Sequence, residues 1–135
     1  MGAAQQLQWG VVGTGGIGAD FVQALRHSSK CRVVNVVGSS REKGSAFAER
    51  WGVPSSSATL NDLLGDPEVD AIYVATPHSQ HELPALAALK ARKAVLCEKP
   101  MTLDVAGTER LIAAARAHGV FLMEAYMYRS HPLLR

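Results

Sequence analysis

Gly13-Thr14-Gly15-Gly16-Ile17-Gly18 directly follows one apolar run, and Glu98-Lys99-Pro100 directly follows another. Glycines spaced in this way let the backbone turn tightly and come close to a ligand. Set between a strand and a helix, they make a loop that seats a pyrophosphate at the positive end of that helix. The strand falls on Leu7 to Val12 and the helix on Ile17 to Leu25, with Ile17, Phe21 and Leu25 on one face. Lys99 stands at the end of another buried strand, on the side where open α/β sheets hold ligands. A lysine there can hydrogen-bond a substrate hydroxyl that is losing a hydride and a proton; the plainer reading is a charged loop residue. Glu98 reads two ways, as an ion-pair partner of Lys99 or as a contact to a ribose.

The end of the second strand bears on which dinucleotide is held. A site for NAD usually places Asp or Glu there, about 20 residues past the glycines, to bond the ribose 2′-hydroxyl. This chain has Gly38-Ser39-Ser40-Arg41 instead. Two hydroxyls and a planar guanidinium suit the 2′-phosphate of NADP. The alternative leaves NAD in place, with Arg41 solvated at a helix start and Glu42 as the acid. His78 and His81, three apart, raise the question of a metal, but no third ligand at suitable spacing joins them, and none is expected. His81 is read instead as a hydrogen-bonding residue near the nicotinamide end.

These groups need elements to position them, and the chain alternates strand and helix throughout. Arg32 to Gly38 reads as a second strand, and Arg41 to Trp51 as a helix with Phe47 and Trp51 on its buried side. A short strand around Val53 to Ser56 follows, then a capping box at Thr59-Leu60-Asn61-Asp62 opening the helix Leu60 to Leu64. Asp70 to Ala75 is a fourth strand. A helix from Ser79 to Ala91 comes next, with Leu83, Leu86 and Leu89 at helical spacing. Ala94 to Cys97 is the fifth strand, Leu103 to His118 a helix ended by Gly119, and Val120 to Ala125 the sixth strand. Gly107 inside that last helix has no local justification and costs about 1 kcal/mol relative to alanine. Six strands joined by crossover helices predict an α/β Rossmann fold: a doubly wound six-stranded parallel sheet, order 3-2-1-4-5-6, with the cofactor across the 1/4 switch point.

The 135 residues make one dinucleotide-binding domain, 1–135, with 47% hydrophobic and 19% charged residues. A net charge of +2 with scattered Lys and Arg gives no footprint for nucleic acid. No apolar run approaches the ~18 residues needed to span a membrane. No export signal is visible, and Gln6 occupies the position where myristoylation needs Ser or Thr. Cys31 and Cys97 read as buried free thiols, which suits a cytoplasmic setting.

Gly13-Thr14-Gly15-Gly16-Ile17-Gly18, Ala75-Thr76-Pro77-His78, His81 and Glu98-Lys99-Pro100 together resemble the glucose–fructose oxidoreductase/inositol dehydrogenase (Gfo/Idh/MocA) family. Met123-Glu124-Ala125-Tyr126-Met127-Tyr128-Arg129-Ser130-His131-Pro132 is similar to its branch of NADP-dependent xylose and dihydrodiol dehydrogenases. The resemblance implies an NAD(P)-dependent oxidoreductase acting on sugars, cyclic polyols or related diols. It implies Lys99 as the catalytic residue. It implies cofactor contacts at Gly13, Thr14, Gly15, Gly16, Ile17, Gly18, Ser39, Arg41, Thr76, Pro77, His81 and Glu98, and it points to a cis Lys99–Pro100 bond.

Members of that family continue into a second α/β domain that forms the substrate pocket. That domain is expected to be absent from this chain, which stops at Arg135. Cofactor binding with little turnover by the chain alone follows as an expectation, because positioning can supply ~7–11 kcal/mol of a barrier. A homo-oligomer or a separate substrate domain would then complete the pocket. The competing reading is a non-catalytic, stand-alone dinucleotide module, and a Rossmann domain for another ligand such as a nucleotide-sugar is a third.

Overall fold

A computed structural model describes residues 6–130 and 132–134; Met1 and Gly2 at the N-terminus and His131 of the tail motif lie outside the described residues. Six strands form one sheet: β1 (Leu7–Val12), β2 (Cys31–Val37), β3 (Ser55–Ser57), β4 (Ala71–Val74), β5 (Ala94–Glu98) and β6 (Leu122–Ala125). All pairings are parallel and the order is β3-β2-β1-β4-β5-β6, as the alternating pattern predicts. The helices are α1 (Gly16–Leu25), α2 (Arg41–Trp51), α3 (Leu60–Gly65), α4 (Glu82–Lys90) and α5 (Val105–His118). Among the described residues, no helix is long and apolar enough to cross a membrane.

Two apolar layers sandwich the sheet. Val11, Val36 and Tyr73 pack with Val22 of α1 and Phe47 of α2 on one face. Ile72, Val74 and Val95 pack with Leu63 of α3, Leu89 of α4 and Leu111 of α5 on the other. Strands covered on both sides favour continuous apolar runs, and β4 is apolar and buried at every residue.

The helix faces differ from their sequence-based reading in three places. In α1 the buried residues are Gly18, Ala19 and Val22, while Ile17 is exposed and Phe21 and Leu25 are half-buried. The glycine at 18 brings the helix so close that a Cβ there would lie 2.9 Å from the Gly13 carbonyl oxygen, and the seam follows the small residue. In α4 the buried stripe is Ala85, Ala88 and Leu89, whereas Leu83 is 73% exposed. Alanines permit the closer approach, so leucine spacing is a poor guide to this face. A separate 3₁₀ turn, His78–Gln80, precedes α4 where a continuous helix was expected. Finally, α5 begins at Val105 because Asp104 caps it, accepting from the Gly107 N–H at 2.7 Å; Leu103 lies outside and is exposed.

Gly107 finds its justification in tertiary contact. A Cβ at this position would stand 2.7 Å from Glu82 Oε2 and 3.0 Å from the Thr102 Cβ. A side chain here would displace the Glu82 carboxylate from its 2.6 Å ion pair with Arg110 and crowd Thr102 and Asp104 in the turn before α5. The α4 face is testable by paired truncations followed by chemical unfolding. Leu89→Ala, at a fully buried site, is expected to lose about 2–5 kcal/mol, and Leu83→Ala less than about 0.5 kcal/mol. Equal losses would restore the leucine face.

Candidate nucleotide-binding site

The loop after β1 shows why each glycine stands where it does. Gly13 has φ of 113°, and a Cβ there would sit 2.6 Å from the Ala75 carbonyl oxygen after β4. Only glycine fits between the ends of these two adjacent strands. Cβ atoms at Gly15 and Gly16 would meet nothing within 4 Å, so this stretch is open to a ligand. Helix geometry leaves the N–H groups of Gly16, Ile17 and Gly18 without intrahelical acceptors. Gly15 caps α1 without a side-chain bond, and no acidic residue occupies its first turn. The cradle therefore presents donors and the positive end of a helix to an anion, which is what a pyrophosphate requires.

A cleft of about 870 Å³ opens from this loop at the carboxyl ends of the strands. Gly13, Thr14 and Gly15 form one wall, and Gly38 and Ser39 after β2 form another. The segment after β4 contributes Thr76, Pro77 and Gln80, and α2 contributes Lys43, Ala46, Phe47 and Arg50. Gly16, Ile17, Gly18, Arg41, His81, Glu98 and Lys99 are not among the lining residues. Ile17 is 37% exposed, and its main-chain N–H is what it offers to the loop.

Lys43 and Arg50 are the cationic groups in the cleft, and the sequence reading passed over both. Their spacing with Ala46 and Phe47, at i, i+3, i+4 and i+7 of α2, is the signal that would have found them. The Arg50 guanidinium also lies 5.2 Å from the centre of the Trp51 ring. Ser40, expected to offer its hydroxyl to a 2′-phosphate, instead caps α2 by accepting from the Lys43 N–H at 3.3 Å. Glu42 is exposed, and its own backbone N–H, the Ser40 hydroxyl and neighbouring Arg41 hold its carboxyl below the usual carboxylate range.

Lys99 occupies a turn fixed by side chains. The Lys99–Pro100 bond is cis, as the resemblance implied. The Lys99 N–H donates to Glu98 Oε2 at 3.2 Å. Glu98 is buried, and its other oxygen accepts from the Tyr73 hydroxyl at 2.6 Å. Burial pushes the Tyr73 phenol above its ordinary range, and the bond to Glu98 and its charge push it further, so it remains a proton donor. Glu98 thus forms no ion pair with Lys99, and both its oxygens are engaged inside the protein. The Lys99 side chain itself is exposed, with no ion-pair partner among the described residues.

His81 is a hydrogen-bonding residue, as its sequence reading had it, and its partners are main-chain carbonyls. It is fully buried, with Nδ1 2.7 Å from the Pro100 carbonyl oxygen and Nε2 2.8 Å from that of Thr76. Each ring nitrogen faces a main-chain acceptor, so His81 ties the segment after β4 to the Lys99 turn and holds no free group toward the cleft. No group of three or more His, Cys, Asp or Glu able to hold a metal is found among the described residues. Cys97 is buried, and burial, with the charges of Glu124 and Glu98 adding to it, pushes its thiol up to about 12.

A parallel sheet of this order, with an anion cradle at its switch point, defines a dinucleotide-binding domain. The chain belongs to the oxidoreductase family with an NAD-binding Rossmann fold, which it matches over residues 7–126. It is 40% identical over 130 residues to trans-1,2-dihydrobenzene-1,2-diol dehydrogenase of Mus musculus, covering 95% of this chain and 39% of that protein. To 1,5-anhydro-D-fructose reductase of Ensifer adhaerens it is 36% identical over 115 residues, 85% of this chain and 34% of that one. Among solved structures, the 3-ketoreductase KijD10 of Actinomadura kijaniata in complex with NADP superposes with a TM-score of 0.86 at 34% identity, covering 96% of this chain and 41% of that chain. The chain thus spans about two-fifths or less of the length of these proteins.

Two substitutions test this geometry. Gly13→Ala is expected to destabilise by about 2–5 kcal/mol, through its positive φ and the clash with Ala75, whereas Gly15→Ala stays within about 1 kcal/mol. Urea unfolding reads both, and equal effects would mean the first glycine is not sterically required. Tyr73→Phe keeps the ring stacked on Phe21, 4.0 Å between centroids, and strands a buried acceptor on Glu98. A loss of about 1–3 kcal/mol is expected in the same measurement.

Proposed function

We propose that this chain is the NADP-binding part of an oxidoreductase that moves a hydride between nicotinamide and a hydroxyl of a sugar, cyclic polyol or trans-diol. The observation that carries the reading is the cationic cleft: a glycine cradle at the switch point, Ser39 at the end of β2, and Lys43 and Arg50 on the facing side of α2. The relatives named above, a diol dehydrogenase and sugar or keto reductases, support the substrate class.

The pyrophosphate would rest on the loop from Gly13 to Gly18, with Thr14 beside it. The 2′-phosphate would lie between the Ser39 hydroxyl and the cations at the start of α2, Arg41 and Lys43. Thr76 and Pro77 would flank the middle of the dinucleotide. When bound, the cofactor supplies the hydride donor or acceptor. Lys99 would be the catalytic residue, its ammonium hydrogen-bonding the substrate oxygen and managing its proton. Glu98 and His81 would serve by holding the Lys99 turn in place. A cytoplasmic location fits two free thiols. Exposed Tyr126 and Met127, just past the carboxyl end of β6, fit docking of further protein, in the same chain or another copy, that completes the substrate pocket.

Titration of the chain with NADPH and NADH, followed by nicotinamide fluorescence, tests the reading. NADPH is expected to bind more tightly. Arg41→Ala and Lys43→Ala are each expected to weaken NADPH by roughly 1.5–3 kcal/mol, with NADH barely changed. A preference for NADH, or equal losses for the two nucleotides, would overturn the NADP assignment.

A further inference from the structure

Glu124 belongs to the tail motif, and none of the roles above uses it. The β5–β6 register sets it beside Cys97, one position before the strand end that pairs Glu98 with Ala125. There Glu124 Oε1 accepts from the Met101 N–H at 2.9 Å. Met101 is held a second way, its carbonyl oxygen lying 3.7 Å from Cys97 Sγ. Side chains from three places thus meet three consecutive residues: Glu98 takes the N–H of Lys99, His81 Nδ1 lies 2.7 Å from the carbonyl oxygen of Pro100, and Glu124 takes the N–H of Met101.

A half-buried carboxylate spent on one neutral N–H is an expensive way to close a loop that water or a backbone carbonyl could satisfy. What it gains is direction. The backbone from Lys99 to Met101 is pinned at both ends, while the Lys99 side chain between sheet and solvent makes no ion pair of its own. Its aim is therefore inherited from the turn. We infer that Glu124 is a positioning residue for Lys99, fixing through its bond to the Met101 N–H the backbone from which the Lys99 side chain departs. The inference rests on the proposed role of Lys99 only where it concerns the cofactor; the coupling of Glu124 to Lys99 can be read without it.

The experiment uses the chain itself, nitrogen-15 labelled, with amide hydrogen exchange followed at Lys99, Met101 and the central strand β4. Glu124 does not touch the Lys99 amide, so a change there reports transmission along the turn. Glu124→Ala is expected to speed exchange at both Lys99 and Met101 by tenfold or more, with β4 unchanged. Glu124→Gln keeps an oxygen acceptor and is expected to stay within twofold of the parent at both. NADPH and 2′,5′-ADP affinities are then measured for Glu124→Ala, Lys99→Ala and the double variant. Glu124→Ala and Lys99→Ala are expected to weaken NADPH alike, the double variant no further than either, and 2′,5′-ADP in none of them.

Unchanged exchange at Lys99 in Glu124→Ala overturns the inference, as does failure of Glu124→Gln to restore it or additive losses in the double variant. Faster Lys99 exchange in Glu124→Ala, rescued by Glu124→Gln, together with NADPH affinity indifferent to Lys99→Ala, upholds the positioning role. That same result sinks the proposed contact between Lys99 and the cofactor.

Discussion

The carbonyl of Ala75 and the α-carbon of Gly13 come so close that a methyl group between them would overlap the oxygen at 2.6 Å. This contact joins the ends of β1 and β4, the two neighbours at which the strand order reverses. From there the chain leaves β1 toward one face of the sheet and β4 toward the other. The crevice between those departures is the cleft. A second tight approach, Gly18 against the Gly13 carbonyl, draws α1 onto the sheet and turns its first N–H groups toward the opening. A third lies under the next wall, where a Cβ at Gly38 would be 2.8 Å from the Gly44 nitrogen. Fill the room these glycines make and the helices stand off, so the cradle after β1 and the cleft wall after β2 are lost together.

The Lys99 turn is organised by a different rule. It is irregular backbone beside a buried strand end, and its polar groups have no ladder to join, so each needs a partner. Glu98, His81 and Glu124 supply them from β5, the segment before α4 and β6. Tyr73 on β4 supports Glu98 from beneath, and Phe21 of α1 stacks on Tyr73. The same packing that fills one apolar layer thus reaches the turn through a single hydroxyl. A comparable device ties other segments: Asn35 of β2 donates to Asp66 and accepts from Ser57, and the Lys93 ammonium donates to the carbonyls of Asp66 and Val69.

Much of this was legible in the residues. The glycine spacing, the β-branched runs and the capping box at Thr59 named the elements, the sheet order and the place of the cleft, because each depends on local backbone demands. Helix faces were less legible. Leucine spacing misled at α4, and the apolar stripe of α1 runs one residue away from the expected one, because small residues rather than large ones mark the closest contacts. Gly107 looked like a flaw in its helix until α4 and Glu82 were set against it. Of the site, Lys43 and Arg50 escaped notice since a charged pair on a helix usually means a solvated face.

What the sequence determined by itself was the architecture and the anion cradle, since strand periodicity, crossover handedness and a glycine with no room for a side chain are properties of the chain and its own backbone. What only the tertiary structure decided was the duty of each polar side chain near the site. Glu98 and His81 carry the types expected of cofactor ligands, yet their bonds go to a tyrosine from another strand and to carbonyls of other segments. Residue type limits which bonds a group can make. Which one it makes is set by the partner that folding brings within about 3 Å, and no local pattern encodes that distance.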